Sequence, residues 1–133
     1  MAGSFCDYVE DKCLDIFFGN ASNATQVLCT IDLSTTTPTD AGGNVTVPTD
    51  ASYAAVSVTN NLTTWAPSSG GSKHNDIAFT FPTFTTASAL VTHFIVKDGS
   101  ANCLCWGSLT NSKTIDIGDT ASFAIGAMVI TLT

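Results

Sequence analysis

Apolar and polar side chains alternate most regularly in the last third of the chain. Across residues 114–117 the period is 2, with Ile115 and Ile117 on one side and Thr114 and Asp116 on the other. That is the pattern of a half-buried strand. Short apolar runs at 102–107, 121–124 and 127–132 flank it, separated by Leu109-Thr110-Asn111-Ser112 and by Gly118-Asp119. Strands joined by such turns predict an antiparallel sheet, the platform against which the remainder must pack. Upstream, residues 26–33 place Val27, Cys29, Ile31 and Leu33 on one face, and residues 54–60 place Val56 and Val58 likewise. Residues 77–81 alternate until Pro82, which cannot donate to a ladder. Residues 90–97 are apolar on both faces, Val91 and Ile95 against Phe94 and Val96, so this strand is expected at the centre of the sheet. Asp98-Gly99 then turns the chain back.

The N-terminal segment has a different period. Ser4-Phe5-Cys6-Asp7 has the form of a capping box, and Phe5, Val9, Cys13, Ile16 and Phe17 recur at helical spacing while Glu10, Asp11 and Lys12 face away. Gly19 supplies a left-handed C-cap, so a helix is predicted over residues 5–18. It needs a partner surface, either this domain's sheet or a neighbouring subunit. Residues 34–50 are rich in Thr, Pro, Gly and Asp, with Ala41-Gly42-Gly43-Asn44 at the tip and a short ribbon expected at 44–47. A connection of that length is functional or mobile. Ser68-Ser69-Gly70-Gly71-Ser72 reads as flexible loop. The expectation is one mainly β domain over residues 1–133: a helix within 1–19, then an antiparallel, jelly-roll-like β-sandwich of about eight strands over 26–133.

Composition narrows the function classes. A chain of 133 residues with 44% apolar side chains closes one core. Charge is only 11%, polarity coming from Thr, Ser and Asn, and the net charge is −7. The cations are Lys12, Lys73, Lys97 and Lys113, and there is no arginine. Phosphate clamps and base-edge readout need guanidinium forks or dense cationic patches, so neither nucleic acid nor anionic membrane is an expected partner. An acidic surface suits a protein that stays soluble until it assembles. Residues 1–10 lack a cationic start and an apolar stretch, and no run approaches the ~20 apolar residues of a membrane helix, so synthesis in the cytoplasm is expected. The four N-x-S/T sequons then carry no weight. Five cysteines cannot all pair within one chain, and the expectation is reduced thiols packed as small hydrophobes.

Candidate chemistry is sparse. Catalysis needs a nucleophile with a base, or carboxylates held at different pKa values. The available bases are His74 in a Gly/Ser loop and His93 on the central strand, while Asp116 and Asp119 flank Gly118 as turn residues do. Cys103-x-Cys105 has no second ligand pair at metal spacing. No catalytic, metal or cofactor residues are expected, and an enzyme is not. The surface itself is then the candidate. Trp65, Phe84 and Met128 lie beside turns or on edges, as core plugs or as contacts with other subunits. Phe5, Val9, Phe17, Thr36, Asn44, Trp65 and Phe84 are taken as candidate inter-subunit contacts.

The residues also carry a resemblance. Asp15-Ile16-Phe17-Phe18-Gly19 ends the helix, followed by Val27-Leu28-Cys29-Thr30-Ile31-Asp32-Leu33-Ser34-Thr35 and Ser52-Tyr53-Ala54-Ala55-Val56. Asn75-Asp76-Ile77-Ala78-Phe79-Thr80-Phe81-Pro82 and Val91-Thr92-His93-Phe94 come next. Cys105-Trp106-Gly107-Ser108-Leu109-Thr110 and Gly118-Asp119-Thr120-Ala121-Ser122-Phe123 close the series. This order resembles a family of small tailed-bacteriophage virion proteins, often labelled tail fibre proteins, which includes capsid cement (decoration) proteins. Members often carry arginine two residues after the Tyr53 position, where this chain has Ala55. The resemblance implies a non-enzymatic virion protein and no catalytic residues. The expectation drawn from it is a cement protein, a homotrimer on the outside of the assembled shell with the major capsid protein as partner. The alternative is a tail component or a host-surface glycan-binding module, with Trp65, Asn60 and Asn61 as its platform.

Overall fold

The structure is a computed structural model and describes residues 3–20, 22 and 26–132. Nine strands and one helix follow in the order β1 (Gly3–Phe5), α1 (Asp7–Gly19), β2 (Leu28–Ser34), β3 (Val56–Thr59), β4 (Ser72–His74), β5 (Phe79–Thr80), β6 (Ala89–Asp98), β7 (Cys103–Ile115), β8 (Ser122–Phe123) and β9 (Val129–Thr131). All pairings are antiparallel. One five-stranded sheet has the order β1-β7-β6-β2-β3, and two two-stranded ribbons are formed by β4 with β9 and β5 with β8. The mainly β, antiparallel class and the single N-terminal helix agree with the sequence reading. The layers are unequal, however: one long sheet is faced by two short ribbons.

Strand β6 lies at the middle of the sheet, as its two apolar faces require. Val91, Phe94 and Val96 point into the main core with Cys29, Ile31 and Leu33 of β2 and Cys105 and Ile115 of β7. The register aligns Ile31, Val96, Cys105 and Phe5 across four strands. The ribbon side fills this core with Trp65, Phe79, Phe81, Phe84 and Met128. Phe79 meets Trp65 edge-on at 5.3 Å between ring centroids, and Phe94 meets Phe123 at 5.7 Å, both within the favourable range for aromatic pairs. On the opposite face of β6, Ile95 is fully buried with Cys6 and Cys103, and Val45 and Trp106 pack against them.

Two buried polar side chains fix the connections. Asn75 is wholly buried; its Nδ2 donates to the carbonyls of Ile77 and Ala124 (2.8 Å each), and its Oδ1 accepts from Met128 N–H at 2.9 Å. That arrangement satisfies an otherwise costly amide and joins the two ribbons. Asp50 accepts backbone N–H bonds from Ser52 (2.8 Å), Thr85 (2.9 Å), Thr86 (2.6 Å) and Ala87 (2.8 Å), with Thr86 Oγ1 at 3.1 Å. Burial raises its pKa, but the four backbone donors outweigh that and hold the carboxyl well below the usual carboxylate range.

The boundaries differ from the sequence reading in instructive places. Residues 109–112 fall within the 13-residue β7 but have no partner in β6: the register passes from Lys113 opposite Val91 to Ser108 opposite His93, so they form a bulge in the long strand. Register shifts at Val91/His93 and Val96/Lys97 absorb the mismatch. The expected helix start at Ser4 is displaced: residues 3–5 pair with β7, and α1 begins after Cys6. Gly19 is helical, and Asn20 takes the left-handed C-cap with φ 53°, donating its N–H to the Asp15 carbonyl. Val27 and Ile77, expected to face inward, are exposed. Ser72 to His74, read in part as loop, form β4 against β9.

Replacing Phe94 with Ala in this core is expected to cost about 3–5 kcal/mol, measured by denaturant unfolding. Asp50→Asn is expected to lower the melting temperature at pH 7. A carboxyl with a depressed folded pKa contributes stability above its unfolded value of ~3.9, and loses it as pH falls toward the folded value. The gap between wild type and Asp50→Asn should therefore be widest near neutrality and close progressively below about pH 4.

Candidate interaction surface

Helix α1 is exposed along its outer side. Leu14, Phe17 and Phe18 are 58%, 78% and 87% exposed, and no residue of the helix is fully buried. Its inner side holds Tyr8, Val9, Cys13 and Ile16, all half-buried. They face a cavity of about 480 Å³ whose far wall is built by Cys29, Trp65, Val96, Leu104, Ile130 and Leu132 among others. The helix therefore lies beside the core without closing onto it. By spacing Phe17 groups with Val9, Cys13 and Ile16; in the fold it stands on the outer side.

The junction between β1 and α1 is fixed from three directions. Cys6, in extended conformation at the N-cap, is bonded to Cys103 at the start of β7, with Cα atoms 5.7 Å apart, inside the span a disulfide bridges. Two of the five cysteines are thus paired, against the expectation of five packed thiols; the reason is the pairing of residues 3–5 with β7, which the period along the helix concealed. Asp7 N–H, one of the unpaired donors of the first turn, donates to the Asp40 carbonyl at 3.1 Å. Trp106 Nε1–H donates to Asp40 Oδ1 at 3.0 Å.

Asp40 belongs to an arm, residues 35–46, that is ordered rather than loose. Thr35 N–H donates to the Thr46 carbonyl (2.8 Å) and Thr39 N–H to the Gly43 carbonyl (3.0 Å). Thr36 Oγ1 donates to the Asn44 carbonyl at 2.7 Å, and Asn44 Nδ2 to the Thr37 carbonyl at 2.7 Å. Thr36 and Asn44, candidate contacts with other subunits, thus brace the arm itself. At the tip, Gly42 has φ 79°, and a Cβ there would lie 2.8 Å from Cβ of Cys103. Only glycine lets the arm close down on the disulfide.

The other candidate contacts divide clearly. Trp65 (4% exposed) and Phe84 (0%) are core plugs, as is Met128, and offer nothing to a neighbour in this fold. Phe5 and Val9 are half-buried at the base of α1. The glycan platform is not assembled: Trp65 is buried, and Asn61 Oδ1 accepts from Thr63 and Thr64 N–H (3.0 Å each). Asn60 Nδ2 donates to the Gln26 carbonyl at 3.2 Å.

Several titratable side chains make structural contacts. His93 Nδ1 pairs with Thr92 Oγ1 at 2.7 Å, and its ring lies 6.0 Å from that of Trp106. Asp119 Oδ2 accepts from Asp116 N–H at 3.3 Å, closing the Gly118 turn. Lys97 pairs with Asp32 at 3.4 Å, and Lys73 Nζ donates to the Ala66 carbonyl at 2.7 Å. Among the described residues no three His, Cys, Asp or Glu side chains are grouped to hold a metal ion.

Three thiols remain free: Cys13 half-buried on α1, and Cys29 and Cys105 in the core. Burial pushes the Cys105 thiol up to about 12, and burial followed by the nearby Asp98 charge raises that of Cys29. Thiolate is the reactive form. In folded protein an alkylating reagent should modify Cys13 at least ~10-fold faster than Cys29 or Cys105, as read by peptide mass spectrometry, with the two core thiols labelled only on unfolding.

No match is found among curated proteins. The family described as Podophage GP4 fiber I protein gp80 matches residues 4–131, a span that takes in α1, both ribbons and all of the sheet but its first residue. The chain belongs to that family, and is accordingly a phage fibre or virion structural protein.

Proposed function

We propose that the chain is a non-enzymatic virion component of the fibre type, carried as a homo-oligomer whose subunits meet through the outer side of α1. The observation that carries this is the row Leu14, Phe17 and Phe18, large apolar groups in water on a protein of net charge −7. Each Phe offers roughly 150–250 Å². At 78% and 87% exposure the two rings present about 300 Å² per copy. Covering that area is worth about 7 kcal/mol before the costs of association. It is too little for a standard interface of roughly 800 Å² per partner. Helix α1 therefore supplies the apolar centre of the contact, and the half-buried Phe5 and Val9 at its base and the arm carrying Thr36 and Asn44 lie at the margin. A threefold arrangement multiplies such modest contacts through avidity.

The second reading, a cement protein on the outside of the shell that ties major capsid subunits together, is favoured by form. The described strands gather around β6 into one body, the longest of them the 13-residue β7, a form suited to sitting on a surface. Under either reading α1 meets a protein surface, and copy number on particles separates them: hundreds for cement, a handful for a fibre.

Both rings at 17 and 18 are replaceable without touching the core. The Phe17→Asp/Phe18→Asp double variant should melt within a few degrees of wild type, since surface substitutions change stability by ~0.5 kcal/mol or less. It should sediment as monomer and lose its place on assembled particles. Undiminished association and incorporation would remove α1 from the interface, and the proposed mode of assembly would go with it.

A further inference from the structure

We infer that the Cys6–Cys103 bond is a redox-controlled clasp, open in a reducing cytoplasm and closed outside it, that fastens the N-terminal arm β1–α1 to the sheet. Only the place where the redox environment changes rests on the virion reading; the clasp itself rests on the fold.

The arm is poorly held without the bond. Strand β1 contributes three residues at the edge of the sheet, and α1 buries none of its side chains fully. Beneath the helix lies the 480 Å³ cavity instead of a packed contact. Burial of apolar area is what ordinarily docks a helix on a sheet, and here most of it is missing. The bond lies where it replaces that packing, at the hinge between β1 and α1. It joins residues 97 apart in sequence, so closure removes a long loop from the freedom of the open chain. Cys6 and Cys103 are 1% and 7% exposed, packed with Ile95 under Val45 and Trp106. The Gly42 tip of the arm 35–46 rests on Cys103, and Asp40 holds the first turn of α1. Closing the clasp therefore also seats that second arm.

The other thiols compete poorly. Cys29 and Cys105 lie in the core on the opposite face of β6 from Cys6, where they and Cys13 line the cavity beneath α1. Closure by a low-molecular-weight disulfide such as oxidised glutathione balances simply. One cysteine thiolate attacks a glutathione sulfur, forming a mixed disulfide and releasing one glutathione thiolate. The second cysteine thiolate then displaces the other glutathione. The protein loses two thiol protons and two electrons, and one glutathione disulfide becomes two glutathione thiols. A cytoplasm keeps the pair as thiols; the medium outside a lysed cell does not.

The test uses the purified full chain, equilibrated with oxidised glutathione or with a phosphine reductant. Alkylation after unfolding should modify three cysteines in the oxidised protein and five in the reduced one. Amide hydrogen exchange of residues 3–19 should accelerate at least tenfold on reduction, with β6 unchanged. Cys6→Ser/Cys103→Ser should reproduce the reduced exchange pattern under both conditions. Five alkylated cysteines after oxidation overturn the clasp. So does unchanged exchange of residues 3–19 on reduction, because the bond would then hold nothing that packing does not. Loss of protection throughout β6 on reduction overturns it as well, since the bond would then support the whole fold. None of these outcomes reads association or incorporation, so the clasp and the proposed interface at Phe17 and Phe18 fail separately.

Discussion

A strand with large apolar groups on both faces cannot stand at an edge, and both of its faces must be covered. Strand β6 is that strand, and the rest of the fold is the means of covering it. Phe94 and Val96 demand one layer, Ile95 another, each wholly or almost wholly removed from water. The long antiparallel pairing with β7 and β2 closes its edges, and the hairpin to β7 does so at little cost in loop closure. Two ribbons built from strands of two or three residues then cap the Phe94 side with aromatic rings. Ribbons so short do not persist alone. They exist because Phe79, Phe81, Phe84 and Met128 have a core to enter, and because buried Asn75 ties their backbones together.

The second face is covered differently, and there the molecule becomes unusual. Ile95 is sealed by a small cluster containing a disulfide, one indole and one valine from the arm 35–46. Threonine and asparagine side chains bond back to backbone carbonyls along that arm, giving it order without a core of its own. Low charge and short side chains also leave little rotamer entropy to lose when such a surface meets a partner. Beside it, α1 presents rings outward and encloses space inward. A helix in that condition is held by its ends: the Cys6 bond and the Asp40 carbonyl at its start, and Asn20 in the left-handed cap at its finish.

For a virion structural protein this division of labour is physically sensible. The covered faces of β6 give a rigid body, and the weakly seated helix gives an apolar surface that a neighbour can bury. His93, Asp50 and Asp119 are engaged with threonine hydroxyls or backbone donors. The family match over residues 4–131 places the whole unit, helix included, within one kind of phage protein.

The sequence by itself determined what depends on neighbours along the chain. Apolar residues at every second position located β2 and β3, the doubly apolar run located β6 and placed it centrally, and helical spacing located α1. Low charge without arginine left no dense cationic patch for a phosphate backbone. The tertiary structure alone decided what depends on residues far apart. Pairing of residues 3–5 with 105–107 moved the helix start and brought Cys6 to Cys103, a contact that no local period can encode. Pairing of β6 with β7 on either side of residues 109–112 carried that turn-like stretch into one long strand as an unpaired bulge. Trp65 and Phe84 entered the core on the ribbon side, while Phe17, on the helix's apolar side by spacing, was left in water. Periodicity says which side chains want cover; only the assembled layers say which of them receive it.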